Sequence, residues 1–298
     1  MISLQEINRS FNGQQVLHDV TFDVTPGRIT GFVGANGSGK TTTMRIVLGV
    51  LGAASGSVLV DGEPITAEYR AQIGYMPEER GLYPKMPVID QLVYLAELHG
   101  IGHAAARRRG LELLERLGLG ERASDMLESL SLGNQQRAQI AAALVHDPIA
   151  LILDEPFSGL DPIAIENTLS VLRDAAGAGS PVLFSSHQLD VVERLCDDLV
   201  IIADGRIRAH GSREQIRADY SKPEWTMQMR DDTGWVRHLP GVLVSEFDGG
   251  FVRFGAQADA DPAQVAEQVL ARAVGHGTVL SFSPTQRPLT EIFTEVVR

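Results

Sequence analysis

The octapeptide Gly34-Ala35-Asn36-Gly37-Ser38-Gly39-Lys40-Thr41 constrains this chain more than any other segment. It has the form G-x-x-x-x-G-K-[ST], in which a glycine-rich turn joins a strand to a helix. Its flanks suit that geometry. The β-prone run Ile29 to Val33 leads in, and a helix-prone run from Thr41 to Leu48 leads out. The glycines let successive backbone N–H groups converge on a phosphate, and the helix start adds positive dipole character there. In such a loop Lys40 reaches the β- and γ-phosphates, the Thr41 hydroxyl ligates Mg²⁺, and Thr42 continues the helix beside them.

Composition narrows the alternatives. The chain has 298 residues, enough for one large domain or two smaller ones. The longest apolar stretch, Ile140 to Leu153, is interrupted by His146, Asp147 and Pro148, so no membrane-spanning helix is expected. The first residues lack the basic-then-apolar pattern of a secretory leader. Cys196 is the single cysteine, which excludes intrachain disulfides and suits a reducing compartment. A net charge of −12 argues against a nucleic-acid partner. The one dense basic cluster, Arg107-Arg108-Arg109, reads as a solvated helix face with Glu112 and Glu115 close behind.

Past the loop, a strand at Ser55 to Val60 ends in the turn Asp61-Gly62, and a short strand at Ile73 to Met76 stops at Pro77. Helical periodicity covers about Val88 to His99 and Ala104 to Leu117, then Gly133 to Val145. Strand and helix then alternate through Ile149 to Leu153, Ile163 to Ala176, Val182 to Ser185 and Leu189 to Leu195. The hairpin signal Asp204-Gly205 follows. This alternation predicts a mostly parallel α/β sheet covered on both faces. Composition shifts at Tyr220-Ser221-Lys222-Pro223, so residues 1–220 and 221–298 are expected to be separate domains. In the second, strands at Trp225 to Met229, Val242 to Phe247, Phe251 to Phe254 and Val279 to Phe282 combine with a helix from Asp261 to about Val274. A short helical turn at Trp235 to Leu239 and a final helix at Leu289 to Val297 complete it. That pattern predicts a small α+β domain of ferredoxin-like type.

The run Ala150-Leu151-Ile152-Leu153-Asp154-Glu155 adds chemistry. A buried parallel strand delivers both acids at its C-terminal edge, where open α/β sheets bind ligands. Asp154 then holds Mg²⁺, and Glu155 polarises the water that attacks the γ-phosphate. His99 and His103 are separated by Gly100 and Gly102, with no third ligand in view, so zinc is not expected there.

Taken in order, these motifs resemble the nucleotide-binding subunit of an ATP-binding-cassette (ABC) transporter over about Met1 to Tyr220. Leu130-Ser131-Leu132-Gly133-Asn134-Gln135-Gln136-Arg137 resembles the family signature, Ser158-Gly159-Leu160-Asp161 its D-loop, and His187 its switch histidine. Phe11 stands where the family places an aromatic against adenine. The resemblance implies an ATPase core with an antiparallel β subdomain and a helical subdomain, using ATP and Mg²⁺. It implies that Ser131 and Gly133 meet the nucleotide of a second copy, or of a paralogous ATPase subunit, in a head-to-tail dimer. Within one chain Ser131 is equally a good helix N-cap, as is Asp161 before Pro162.

Two departures stand out. Glu78 occupies the place of the usual Q-loop glutamine, where a carboxylate can ligate Mg²⁺ or hold water. The signature carries Leu132 for its first glycine and Asn134 for its glutamine. The segment Glu78 to Met86 is where the family touches its membrane partner, and Arg80, Leu82 and Tyr83 give it a mixed apolar and basic surface. The variant Pro77 to Tyr83 and the ending Arg287-Pro288-Leu289-Thr290-Glu291-Ile292-Phe293 resemble the drug, antibiotic and sodium exporter (ABC-2) branch, in which a separate membrane permease forms the path. The expectation is a cytoplasmic ATPase held at the inner face of the membrane by that permease. The alternatives are a soluble ABC ATPase acting on ribosomes or DNA and a nucleotide-dependent regulator without turnover.

Overall fold

A computed structural model describes every residue except 80, 221, 222, 286–288 and 298, and all but the side chain of residue 190. The expectation for Arg80, the Ser221-Lys222 junction and Arg287-Pro288 therefore lies outside the described residues. The chain divides into two compact units, Met1–Arg213 with the end of the chain from Val296, and Glu214–Glu295.

The first unit begins with strands β1 (Ile2–Phe11), β2 (Gln14–Val24) and β3 (Ile29–Val33), then helix α1 (Lys40–Val47). Strands β4 (Ser55–Val60) and β5 (Glu63–Pro64), helix α2 (Ala67–Arg70) and strand β6 (Ile73–Met76) follow. Helices α3 (Val88–Leu98), α4 (His103–Arg116) and α5 (Leu132–Leu144) form a consecutive helical stretch. The alternating part runs β7 (Ala150–Leu153), α6 (Pro162–Gly177), β8 (Val182–Ser186), α7 (Leu189–Leu195), β9 (Asp198–Ala203) and β10 (Arg206–Ser212). A six-stranded sheet has the order β10-β9-β3-β8-β7-β6, parallel except for the β9–β10 hairpin, and a second, antiparallel sheet has the order β2-β1-β4-β5.

The strands β3, β7 and β8 are buried at every position, which is why they read as unbroken apolar runs. The long strands β1 and β2, by contrast, alternate. They turn Leu4, Ile7, Leu17, Val20 and Phe22 into a core shared with Phe32, Met44, Ile152, Leu183 and Ile202. The Phe22 and Phe32 rings meet at 5.1 Å across the two sheets. Burying a side chain of that size contributes about 1.5–3 kcal/mol. This core fixes the C-terminal ends of β3 and β7, the edge on which the loops 34–39 and 154–161 begin.

The second unit contains α8 (Arg213–Tyr220) from its second residue, β11 (Glu224–Met229), β12 (Val242–Asp248), β13 (Phe251–Ala256), α9 (Pro262–His276), β14 (Val279–Thr285) and α10 (Leu289–Val297) as far as Glu295. Its sheet is antiparallel in the order β12-β13-β11-β14. This is the ferredoxin-like order, with one change. The first crossover is a single 3-10 turn, Gly234–His238, in place of a full helix, because Pro240 ends it after five residues. Val265, Val269 and Ala273 of α9 pack on Met227, Met229, Val252 and Phe254. Helix α8 is not marked in the sequence by a strong apolar stripe; Ile216 is its one buried residue. Among the described residues, no helix is long and apolar enough to cross a membrane.

Candidate functional site

A cleft of about 460 Å³ opens over the loop between β3 and α1, lined by Phe11, Asn36, Gly37, Gly39, Lys40, Thr41, Thr42, Glu78, Asp154 and Glu155. These residues are spread over nearly 145 positions of sequence and are gathered because β3 and β7 flank β8 in one parallel sheet. The loop geometry depends on glycine. Gly39 has φ 108°, and a Cβ there would lie 2.5 Å from Leu17 Cδ2.

Lys40 is buried, and its ammonium donates to the carbonyls of Gly34 (2.7 Å) and Ala35 (3.2 Å). Its pKa is lowered by burial, against the opposing pull of Glu155, Asp154 and Glu78. The cation thus bridges the mouth of its own loop, poised for an anion to replace two carbonyls. Ser38 Oγ, from the same loop, and Asp154 Oδ2 are buried without a protein partner. Orphaned buried groups of this kind are uncommon in a folded protein and suit a site that completes itself with a ligand. Phe11 stands at the rim, 39% exposed, with the Arg9 guanidinium 4.7 Å from its ring centroid. That leaves an aromatic surface available to a planar base.

The two acids at the end of β7 differ in setting. Asp154 is buried, and its Oδ1 accepts from the Ser185 hydroxyl of β8 at 2.5 Å. The same hydroxyl accepts from the Glu155 N–H at 2.8 Å. Glu155 adopts φ 51°, a left-handed conformation that costs a non-glycine residue about 1–2 kcal/mol. Its carboxylate Oε2 lies 3.0 Å from His187 Nδ1. Thr41, Asp154 and Glu78 offer a hydroxyl and two carboxylates on one cleft, hard oxygen donors of the type Mg²⁺ takes. With Asp154 Oδ2 unpartnered, the donor set fits that ion.

Ser131, Gly133 and Asp161 do not line this cleft. Ser131 is the N-cap of α5, its Oγ accepting from Asn134 N at 3.4 Å, and Asp161 is the N-cap of α6, accepting from Ala164 N at 2.8 Å with Pro162 behind it. Gly133 sits where a Cβ would lie 2.9 Å from the Gly159 carbonyl, so the start of α5 packs directly on the loop after Glu155. Leu132, beside it, is 62% exposed. In the segment after β6, Gln91 of α3 accepts from Tyr83 N and donates to the carbonyls of Tyr83 and Met86, while Tyr83's own side chain projects outward.

Neither Ser185 nor Gln136 was given a role by the sequence. Ser185 stands near the end of an apolar strand, and Gln136 entered only as part of the signature segment, with no indication of what its side chain meets. His99 stacks on His146 at 3.8 Å, and His103 bonds Glu97 at 2.8 Å. Contacts of this kind could not be read from the spacing of His99 and His103.

Comparison with known proteins bears directly on this geometry. The ABC transporter family model matches residues 17–158, and the model for the C-terminal domain of DrrA1-3-like ATP-binding proteins matches 211–297. An uncharacterised ABC transporter ATP-binding protein of Bacillus subtilis, YhaQ, is 35% identical over 297 residues, covering 100% of this chain and 98% of its own. This chain belongs to the ABC transporter ATP-binding proteins.

As an ABC ATPase it binds ATP and hydrolyses it. The linearmycin resistance ATP-binding protein LnrL of the same bacterium is 34% identical over 219 residues, covering 72% of this chain and 70% of LnrL. Among solved structures, an ATP-binding subunit of an ABC transporter superposes with TM-score 0.68 at 32% identity, over 74% of this chain and 93% of its own. The ABC ATPase fold expected from the motifs is the one present, and the second family match falls on the C-terminal ferredoxin-like part of the chain.

Proposed function

We propose that this ABC ATPase powers export, two copies closing on ATP and driving a separate permease in the membrane. The observation that carries the catalytic reading is the single cleft on which Lys40, Thr41, Asp154 and Glu155 converge, with His187 bonded to Glu155. In it the loop N–H groups and Lys40 hold the β- and γ-phosphates, and Phe11 stacks on adenine. Thr41, Asp154 and Glu78 hold Mg²⁺, which, when bound, neutralises charge on the transferred phosphoryl group. Glu155 accepts the proton of the attacking water, and His187 keeps that carboxylate aimed while reaching toward the γ-phosphate.

The closed state uses the residues that the cleft leaves out. Ser131 and the N–H groups of the first turn of α5 cap the phosphate held by a second copy or a paralogous ATPase subunit, and Asp161 lines the same seam. The exposed Leu132 supplies apolar surface there. The likeness to a resistance protein and to the DrrA1-3-like C-terminal domain supports export over import. The segment around Leu82 and Tyr83, braced by Gln91, is the permease contact, which places the chain in the cytoplasm at the inner face of the membrane. Residues 1–220 form the ATP-binding domain and 221–298 an accessory domain.

The test is phosphate release by the purified chain. Glu155→Gln is expected to lower turnover by about 100-fold or more while leaving nucleotide affinity near parental. Parental turnover in that variant would remove Glu155 from the role of base. Co-purification with a membrane protein encoded beside it tests the exporter reading, and co-purification with ribosomes would contradict it.

A further inference from the structure

The base assigned to Glu155 is held in an unusual backbone, and one of the groups that holds it comes from the helix of the signature segment. Glu155 sits at φ 51°. Its N–H is taken by Ser185 Oγ, from the neighbouring strand. Its carbonyl accepts from Gln136 Nε2 at 2.8 Å, in a buried contact. Gln136 is 7% exposed and lies one turn into α5, three residues past Gly133. The Ser158 N–H also points at this carbonyl, at 3.2 Å. The Glu155 peptide groups are thus gripped on one side by β8 and on the other by α5.

We infer that Gln136 is a positioning residue for hydrolysis: its amide holds the Glu155 carbonyl and so fixes the direction in which the Glu155 carboxylate leaves the strand. This rests on the reading of Glu155 as the base. The physical reason is the φ value. A left-handed glutamate relaxes to the right-handed or extended region unless its peptide groups are bonded in place. Such a rotation carries the side chain away from the cleft, and a displacement of about 1 Å at a reacting group costs about 100-fold in rate. A Cβ at Gly133 would lie 2.9 Å from the Gly159 carbonyl, so the start of α5 is in direct contact with the loop after Glu155. A displacement of the signature segment therefore reaches Glu155 through Gln136.

The test uses the full-length chain and a double-mutant cycle. Gln136→Met keeps the length and bulk of the side chain and removes the donor. It is expected to lower kcat about 100-fold and to leave KM, affinity for a non-hydrolysable ATP analogue and Tm near parental. In a Glu155→Gln background the same substitution is expected to have no further effect on the residual rate, because there is no base left to misplace. Gln136→Glu, equal in length and unable when ionised to donate to a carbonyl, is expected to repeat the kcat loss if the Met variant folds poorly. Parental kcat in both Gln136 variants, with Glu155→Gln inactive, overturns the role of Gln136 alone. An equal further loss in the Glu155→Gln background overturns it as well, since that is the behaviour of general structural damage. Parental turnover in Glu155→Gln overturns the assignment of the base, and this inference with it.

Discussion

At the scale of single residues, the site joins three buried charges, Lys40, Asp154 and Glu155, to the exposed Glu78 and His187 around one cleft. Lys40 shows the consequence most directly. Buried, with its pKa lowered, it is bonded to two carbonyls of its own loop. Bound phosphate replaces these neutral acceptors with an anion, to which the ammonium makes stronger, charge-assisted bonds. Lys40→Ala is therefore expected to weaken ATP binding by about 10- to 100-fold, the loss of one or two charge-assisted bonds, measured by calorimetry. Unchanged affinity would mean that the ammonium stays folded on its loop. Asp154 and Glu155 are adjacent in sequence, yet Ser185 bonds the side chain of one and the backbone of the other. That single hydroxyl separates the roles of two neighbouring acids, and nothing in the strand Val182–Ser186 marks it.

At the scale of elements, helix starts and ends are where structure and function share groups. Asp161 caps α6 at 2.8 Å, whereas Ser131 caps α5 at a long 3.4 Å. Asp161→Ala is expected to cost about 1 kcal/mol of stability, and Ser131→Ala clearly less, as read by urea unfolding. A larger cost at Ser131 would make its hydroxyl a structural cap first. Beyond the far end of α5, His146 packs on His99 and has its pKa lowered to about 4, by burial first, then by His99 and Arg109. The Ile73 backbone and Asp147 oppose that shift without reversing it. Between about pH 6.5 and 4 the unfolded chain holds a proton here that the native chain does not, so stability present above this window is lost as pH falls through it. His146→Gln is expected to shrink the fall in Tm between pH 7 and pH 5. An identical fall in both proteins would remove His146 from the acid sensitivity.

At the scale of the whole molecule, the cleft is one half of a proposed site. The phosphate loop and Glu155 lie on it, while Ser131 and Gly133 lie outside it, beside the exposed Leu132. Glu155→Gln with ATP and Mg²⁺ is expected to elute from size-exclusion chromatography as a dimer, and as a monomer when EDTA is present or when Ser131→Arg is added. A monomer under every condition would show that the chain does not close on a second copy. The ferredoxin-like unit has its own core around Met227, Val252, Phe254 and Val269.

The sequence by itself determined what is local. The phosphate loop, the acid pair, the buried strands and the alternation that dictates a parallel sheet each reside in a few consecutive residues, where spacing and apolar pattern carry the physics. The ferredoxin-like order was readable for the same reason, including the short first crossover, expected at Trp235 to Leu239 and present as the 3-10 turn Gly234–His238. Tertiary structure alone decided how those pieces meet. Gln136 reaches a carbonyl 19 positions away, and His187 reaches a carboxylate 32 away. Such bonds depend on where β8 and α5 lie against β7. A lone glutamine or serine carries no periodic signal of its partner, so the groups that aim the acids became visible only when the chain was folded.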